Sequence, residues 1–151
     1  MVCEYLMVFI LGGFPIAEIR GAIIYGMAMN LNMYYVFAIG ALGNIIAVPI
    51  IFFALEKLKF IHLAKKLFGN KTYIKIEKHQ KAIDKWGELA LLIFTAIPAP
   101  MTGAWTASLI AVLLKMNKKK SFVVITLGIL IAGTVTWAVA TGIITGLSSI
   151  I

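Results

Sequence analysis

Two charged residues stand in a stretch that is otherwise apolar. Glu18 and Arg20 belong to GGFPIAEIRGAII (Gly12 to Ile24), and no other charge occurs between Tyr5 and Leu55. Arg20 is the single arginine of the chain; every other basic residue except two histidines is a lysine. A guanidinium offers a planar fork of donors that fits a carboxylate or a phosphate two-pronged. One arginine in a lysine-built chain therefore points to a bidentate contact. A carboxylate two residues away can pair with it, hold a cation or take up a proton. At that spacing the two would not face each other on a regular helix, but in the broken backbone after Pro15 both could turn toward one cavity. The alternative is that they lie shallowly and reach the interface, or clamp the turn.

A second break, AIPAPMTGAWTAS (Ala96 to Ser108), carries no charge. Pro98 and Pro100 interrupt any helix there. Thr102, Thr106 and Ser108 offer hydroxyls, and helix N-terminal amides after the prolines could donate to an anion. The same letters also read as packing, because Gly103-xxx-Ala107 and Ala104-xxx-Ser108 let helices approach closely. Asn44, just after Gly43, is a polar residue in an apolar run and reads as helix–helix glue more readily than as a ligand. The candidate substrate site is thus Pro15, Glu18, Arg20 and Gly21 from the first break, Asn44, and Pro98, Pro100, Thr102, Gly103 and Thr106 from the second.

Other chemistry finds little footing. Cys3 is the only cysteine, so neither an intramolecular disulfide nor a cysteine metal site is expected. His62 and His79 have no acidic or thiol neighbour with ligand spacing and read as surface residues. Glycine motifs for nucleotide phosphates are absent. The expectation is no cofactor, no metal, no use of ATP, and no enzymatic activity.

The elements that must position these residues follow from composition. Hydrophobic residues make up 62% of the 151 and charged ones 13%, with a mean hydropathy of +0.99; a soluble domain carries about 25% charged residues. Charge is absent from Tyr5–Ala17, Gly21–Leu55, Leu89–Leu114 and Ser121–Ile151, together 105 residues. A hydrocarbon core about 30 Å thick takes roughly 20 residues of helix, so the chain reads as an all-α integral membrane protein. Its start carries Glu4 and no lysine or arginine before residue 20, unlike a cleavable signal peptide.

The net charge of +8 is concentrated. Nine lysines fall between Lys57 and Lys85 and four more between Lys115 and Lys120. Basic segments flanking spans follow the positive-inside rule and attract anionic lipid; nucleic acid is not the expected partner. Phe60, Ile61, Ala64, Leu67 and Phe68 form a stripe opposite Lys57, Lys59, Lys65 and Lys66, and Gly69-Asn70 closes that helix. A second stripe, Tyr73, Ile76, Ile83 and Trp86, follows. Both read as amphipathic helices on the cytoplasmic interface.

With both basic segments cytoplasmic, Trp86–Leu114 must return to its own side, yet it is too short for two spans. A re-entrant hairpin turning at the prolines meets both demands. Met1–Asn32 calls for another, entering from the opposite face and turning at GGFP. Tyr35–Leu55 and a helix within Ser121–Leu147 are the full spans, which leaves both termini outside. Thr134, Ala138, Gly142 and Gly146, four residues apart, read as a helix–helix seam. LGNIIAVP (Leu42–Pro49) aligns with LGILIAGT (Leu127–Thr134) at an offset of 85, and Gly21-Ala22 with Gly103-Ala104 at 82. Hairpin–span order, opposite sides and shared letters predict an inverted repeat, the plan of many secondary transporters. One domain is expected over 1–151: a first repeat at 1–56, a basic connector at 57–85 and a second repeat at 86–151.

PIAEIRGAI, LGNIIAVPIIF, AIPAPMTGAWTASLIA and GILIAG together resemble the putative small multidrug export protein family of prokaryotic membrane proteins, over nearly the whole chain. Ile24 departs from the pattern, since members commonly have proline after G-A-I. That family is similar in plan to the DedA, or VTT-domain, superfamily, whose members have paired re-entrant hairpins and include polyprenyl-phosphate and phospholipid translocases. The resemblance implies a multi-pass protein of the prokaryotic plasma membrane in which Glu18 and Arg20 match the acidic and basic residues of a buried site. DedA proteins place further arginines in the second hairpin, and this chain has none there. The expectation is a transporter moving an amphiphile with an anionic, lipid-phosphate-like head. Arg20 would hold the head, and protonation of Glu18 could couple the movement to protons. Proton-coupled efflux of cationic drugs and a non-transporting scaffold docked on membrane lipid are the alternatives. Two hairpins in so small a chain also favour a homodimer that covers them.

Overall fold

The computed structural model describes residues 2–57, 80–98 and 102–148, the side chains at 80–85 and 143–148 excepted. Among the described residues the chain is all helix: α1 (Val2–Gly13), α2 (Glu18–Ala28), α3 (Met33–Lys57), α4 (Gln80–Ala96), α5 (Ala104–Leu113) and α6 (Lys118–Ser148). Two stretches are long and apolar enough to cross a membrane, Met33–Lys57 and Lys118–Gly142. α3 is the predicted span with two residues added at each end, and it runs through Pro49 unbroken. Residues 58–79 of the basic connector, with Gly69-Asn70, His62 and His79, lie outside the described residues, as does Pro100, while Ile83 and Trp86 of the second stripe fall in α4.

The four remaining helices have 12, 11, 17 and 10 residues. At 1.5 Å per residue the first two and α5 are about half the length a bilayer core requires. Trp86–Leu114 is not one continuous helix: α4 stops at Ala96 and α5 begins at Ala104.

Glycine sets how the first pair packs on α3. A Cβ on Gly12 would collide with the Gly40 carbonyl, and one on Gly43 with the Phe9 carbonyl. The Tyr5 and Tyr35 rings meet edge-on at 6.2 Å. Contacts 5–35, 8–40 and 13–43 advance together, so α1 runs parallel to α3 and its tip reaches only as far as Gly43. α2 then returns, with Ala22 against Gly40 and Gly26 against Val36. On α6 the order repeats. Lys120 pairs with Glu88 at 3.2 Å, and Gly128 lies against Thr95 and the Leu92 carbonyl, so α4 runs parallel to α6 and stops part-way along it. α3 and α6 are antiparallel: Lys118 pairs with Glu56 at one end, and Trp137 meets Tyr34 and Phe37 at 5.4 and 5.9 Å at the other.

The turn from α2 to α3 is rebuilt, bond for bond, between α5 and α6. Asn30 N–H donates to Met27 O and Leu31 N–H to Gly26 O; Lys115 and Met116 do the same to Val112 O and Ala111 O. This double bond pattern closes a helix around one left-handed residue, and Asn30 and Lys115 have φ of 52° and 54°. Asn32 Oδ1 then accepts from Tyr34 N–H and Asn117 Oδ1 from Lys119 N–H, each asparagine capping the next helix. Every pair is 85 residues apart. Along 36–50 and 121–135 the positions run buried, half-buried and exposed in the same order except at Ala41 and Thr126; 3–15 and 86–98 agree except at Phe9 and Leu92.

Two sequence readings change. The register of the second short helices is 85, not 82, so Gly103 stands where Glu18 stands and Trp105 where Arg20 stands; the break before α5 is the longer one, and Gly-Ala recurs there by chance. Among the described residues the small-residue ladder on α6 is not a seam. Thr134, Ala138 and Gly142 are exposed, and a Cβ on Gly142 would meet nothing within 4 Å. The internal seam uses Gly128 and Gly133, the latter against Ile19 and Phe37.

Candidate functional site

The two breaks meet. Trp105, in the first turn of α5, donates its indole N–H to Gly13 O at the tip of α1, 3.1 Å away, and its backbone N–H to Glu18 Oε1 at 3.4 Å. The N-cap of α5 is Gly103, which has no side chain to offer, so Glu18 supplies the missing acceptor from the other half of the molecule. A carboxylate beside a helix N-terminus is favoured both by the unpaired N–H groups and by the helix dipole. The fit is close: a Cβ on Gly103 would overlap the Glu18 carboxylate. Glu18 is 6% exposed and has φ of 51°, a left-handed conformation costing a non-glycine residue roughly 1–2 kcal/mol.

Arg20 answers at the opposite helix end. Its Nη2 donates to the Thr102 carbonyl and, at 3.3 Å, to the Ile97 carbonyl just past the end of α4. Thr102 Oγ1 donates to the same Ile97 oxygen at 2.8 Å, which holds the break in shape. Cations are favoured where helix carbonyls point. Arg20 Nη2 also lies 3.8 Å from Glu18 Oε2. The acid thus takes the start of α5 and the base the end of α4, and the pair fastens one hairpin to the other.

Arg20 in addition lines an open groove of about 340 Å³ with Ile24, Pro98, Val135, Thr136, Val139 and Ala140. Among the described residues its guanidinium is the only charge in that wall.

The predicted residues divide accordingly. Glu18, Arg20, Thr102 and Gly103 are brought together, and Pro98 borders the Arg20 groove. Thr106 faces a different groove, with Trp105. Pro15 is exposed in the first turn. Gly21 lies within α2, where a Cβ would press on that of Ala17. Asn44 is buried, and no donor among the described residues reaches its Oδ1. The amides of α5 face Glu18. Gly103, Ala104, Ala107 and Ser108 are all buried, as close packing requires. The sequence reading missed Trp105 as a linking residue and the Ile97 carbonyl; only the tryptophan placed directly after Gly-Ala at a helix start could have signalled the first. Among the described residues no cluster of acids, histidines or cysteine could hold a metal.

Residues 18–135 match the family described as "Putative small multi-drug export protein". No curated protein and no solved structure matches the chain.

Proposed function

The chain belongs to this small multi-drug export family and is a membrane protein; from that premise we propose that it translocates an amphiphile with an anionic head group. The observation that carries this reading is the Arg20 groove: one guanidinium set in an apolar wall, at the junction of the two hairpins. Such a groove takes hydrocarbon along its sides and a phosphate-like head at Arg20, where the planar fork suits a tetrahedral anion. Its volume lies within the range of small-molecule sites, roughly 300–1,000 Å³. Ile97 and Thr102 carbonyls aim the guanidinium; Glu18 stands beside it, in the place a substrate anion would contest.

The architecture fits a DedA-like transporter plan. The two halves, 83 residues out of register at α1 and α4 and 85 beyond the breaks, and running in opposite directions, support an inverted repeat. Short helix pairs that turn part-way along α3 and α6 support re-entrant hairpins. Broken backbone at membrane depth is tolerated where protein buries it or a cavity opens beside it, and inverted repeats with broken helices are a recurring transporter design. On this reading the lysine-rich end is cytoplasmic. Proton coupling through Glu18, a homodimer and a prokaryotic plasma-membrane location remain parts of the same proposal. The family description favours a second reading, efflux of cationic drugs, with Glu18 as the cation's partner.

Vesicles reconstituted with the protein, a labelled polyprenyl phosphate and a cationic dye separate these readings. Arg20→Lys should cut phosphate-lipid transport at least tenfold although charge is kept, because an ammonium cannot make the two-pronged contact. Glu18→Gln should preserve anion binding and abolish any dependence on a proton gradient. If dye efflux is lost in Glu18→Gln and spared in Arg20→Lys, the cation reading holds instead. Transport of the phosphate lipid by Arg20→Lys at the wild-type rate overturns the proposal.

A further inference from the structure

The Arg20 groove has a counterpart. Ile50, Ile51, Ala54 and Leu55 of α3 and Trp105, Thr106 and Leu109 of α5 enclose a groove of about 410 Å³. Adding 85 to Ile50, Ile51, Ala54 and Leu55 gives Val135, Thr136, Val139 and Ala140, and adding 85 to Arg20 and Ile24 gives Trp105 and Leu109. These are two copies of one groove with different chemistry. In the first, the charge lies at the floor, on Arg20, and the wall helix continues as uncharged Thr141-Gly142. In the second, Trp105 replaces the arginine, and the wall helix continues as Glu56-Lys57.

At Trp105 the second groove offers no donor. The indole has one donor, and it is spent on Gly13 O, so the ring presents hydrocarbon. Beyond the α3 end of the groove stands a cation. Lys57 is two turns beyond Ile50 and three residues beyond Ala54, on the same stripe of α3, and its Nζ lies 5.4 Å from the centre of the Phe53 ring. Glu56, beside it on α3, is already paired with Lys118. From Lys57 the chain passes into a segment with eight more lysines before Trp86.

We propose that the Trp105 groove is a binding site for an anionic phospholipid of the bilayer, one acyl chain lying along Trp105, Leu109 and Ile50 and the phosphate at the Lys57 end. It is a resident-lipid site separate from Arg20, and its ligand enters tail-first where that of the Arg20 groove meets the charge at depth. The proposal does not rest on what the Arg20 groove transports. Charge assigns the lipid class: each lysine near a membrane surface is worth roughly fivefold in affinity for anionic lipid.

The chain has three tryptophans and five tyrosines, so Trp86→Phe with Trp137→Phe leaves Trp105 as the only tryptophan, excited at the red edge where tyrosine does not absorb. That variant is reconstituted in phosphatidylcholine containing brominated phosphatidylglycerol, and in the converse mixture with bromine on phosphatidylcholine. Brominated phosphatidylglycerol should quench Trp105 severalfold beyond its mole fraction. Lys57→Gln should bring the two lipids toward parity while quenching persists. Quenching by both lipids in proportion to mole fraction overturns the site, and so does the absence of quenching by either, which would mean that protein, such as a second copy, fills the groove. Mass spectrometry of the unmodified chain released from the same mixed vesicles covers a failure of the tryptophan variant to fold. Retention of phosphatidylglycerol that is lost in Ala54→Phe supports the site; equal retention of both lipids, or of none, overturns it.

Discussion

Glu18 and Arg20 act on backbone, and this explains both why they stand out and why their partners do not. A charge in an apolar run is visible in the letters. The groups it binds here are Trp105 N–H, Ile97 O and Thr102 O, which every residue type but proline possesses, so no letter announces them. The nearest signal is negative: Gly103 must lack a side chain because the carboxylate occupies that space. Gly103→Ala should therefore destabilise the protein by about 1–3 kcal/mol, the range for forcing extra volume into a packed site, read as a fall in melting temperature in detergent. In the Glu18→Ala background the same change should cost much less, since the obstructing carboxylate is gone. A coupling of 0.5–3 kcal/mol is typical of residues in contact. If the two changes simply add, Glu18 does not occupy the start of α5.

Between helices, packing is set by glycine at two equivalent places. Gly43 receives α1 and Gly128 receives α4, and both belong to the LGxxIA match that linked the halves in sequence. That match was legible because close approach demands a residue without a side chain. The rest of the repeat was not, since core-facing and lipid-facing positions are both apolar in a membrane protein and hydropathy cannot tell them apart; Leu42 and Leu127 are exposed while Asn44 and Ile129 are 1% exposed. The same ambiguity made the α6 ladder look like a seam and let Gly21-Ala22 pair with Gly103-Ala104. The asparagine caps Asn32 and Asn117 mark the true register. Gly43→Ala, which drives a Cβ onto the Phe9 carbonyl, and Gly128→Ala, which drives one onto Thr95, should each lower thermal stability by about 1–3 kcal/mol. Gly142→Ala, facing open space, should be neutral or gain up to about 1 kcal/mol from helix propensity. Equal losses at all three positions would mean that α6 uses its ladder as a seam after all.

On the scale of the whole molecule, the two ends differ in chemistry. Glu56–Lys118 and Glu88–Lys120 tie the end of α3, the start of α6 and α4 together at a lysine-rich end. Tyr34, Phe37 and Trp137 cluster at the other, and the Tyr5–Tyr35 contact places the start of α1 there too. Lysine excess marks the cytoplasmic side of a membrane protein and aromatic rings gather at its interfaces. The composition already placed the chain in a bilayer, but which residues share an end depends on α3 and α6 running antiparallel, a matter of folding rather than of local sequence. The arrangement makes a topological prediction. Cys3 is exposed and lies near the aromatic end, so a membrane-impermeant thiol reagent should label it in intact cells. A Cys3→Ser protein carrying Lys119→Cys, at the opposite end, should be labelled only after the membrane is opened. Lys119 is exposed and pairs with no acid among the described ion pairs, so the substitution leaves both tying pairs intact. Labelling of the Lys119→Cys protein from outside intact cells would place the lysines on the wrong face and remove the basis for hairpins that enter from opposite sides.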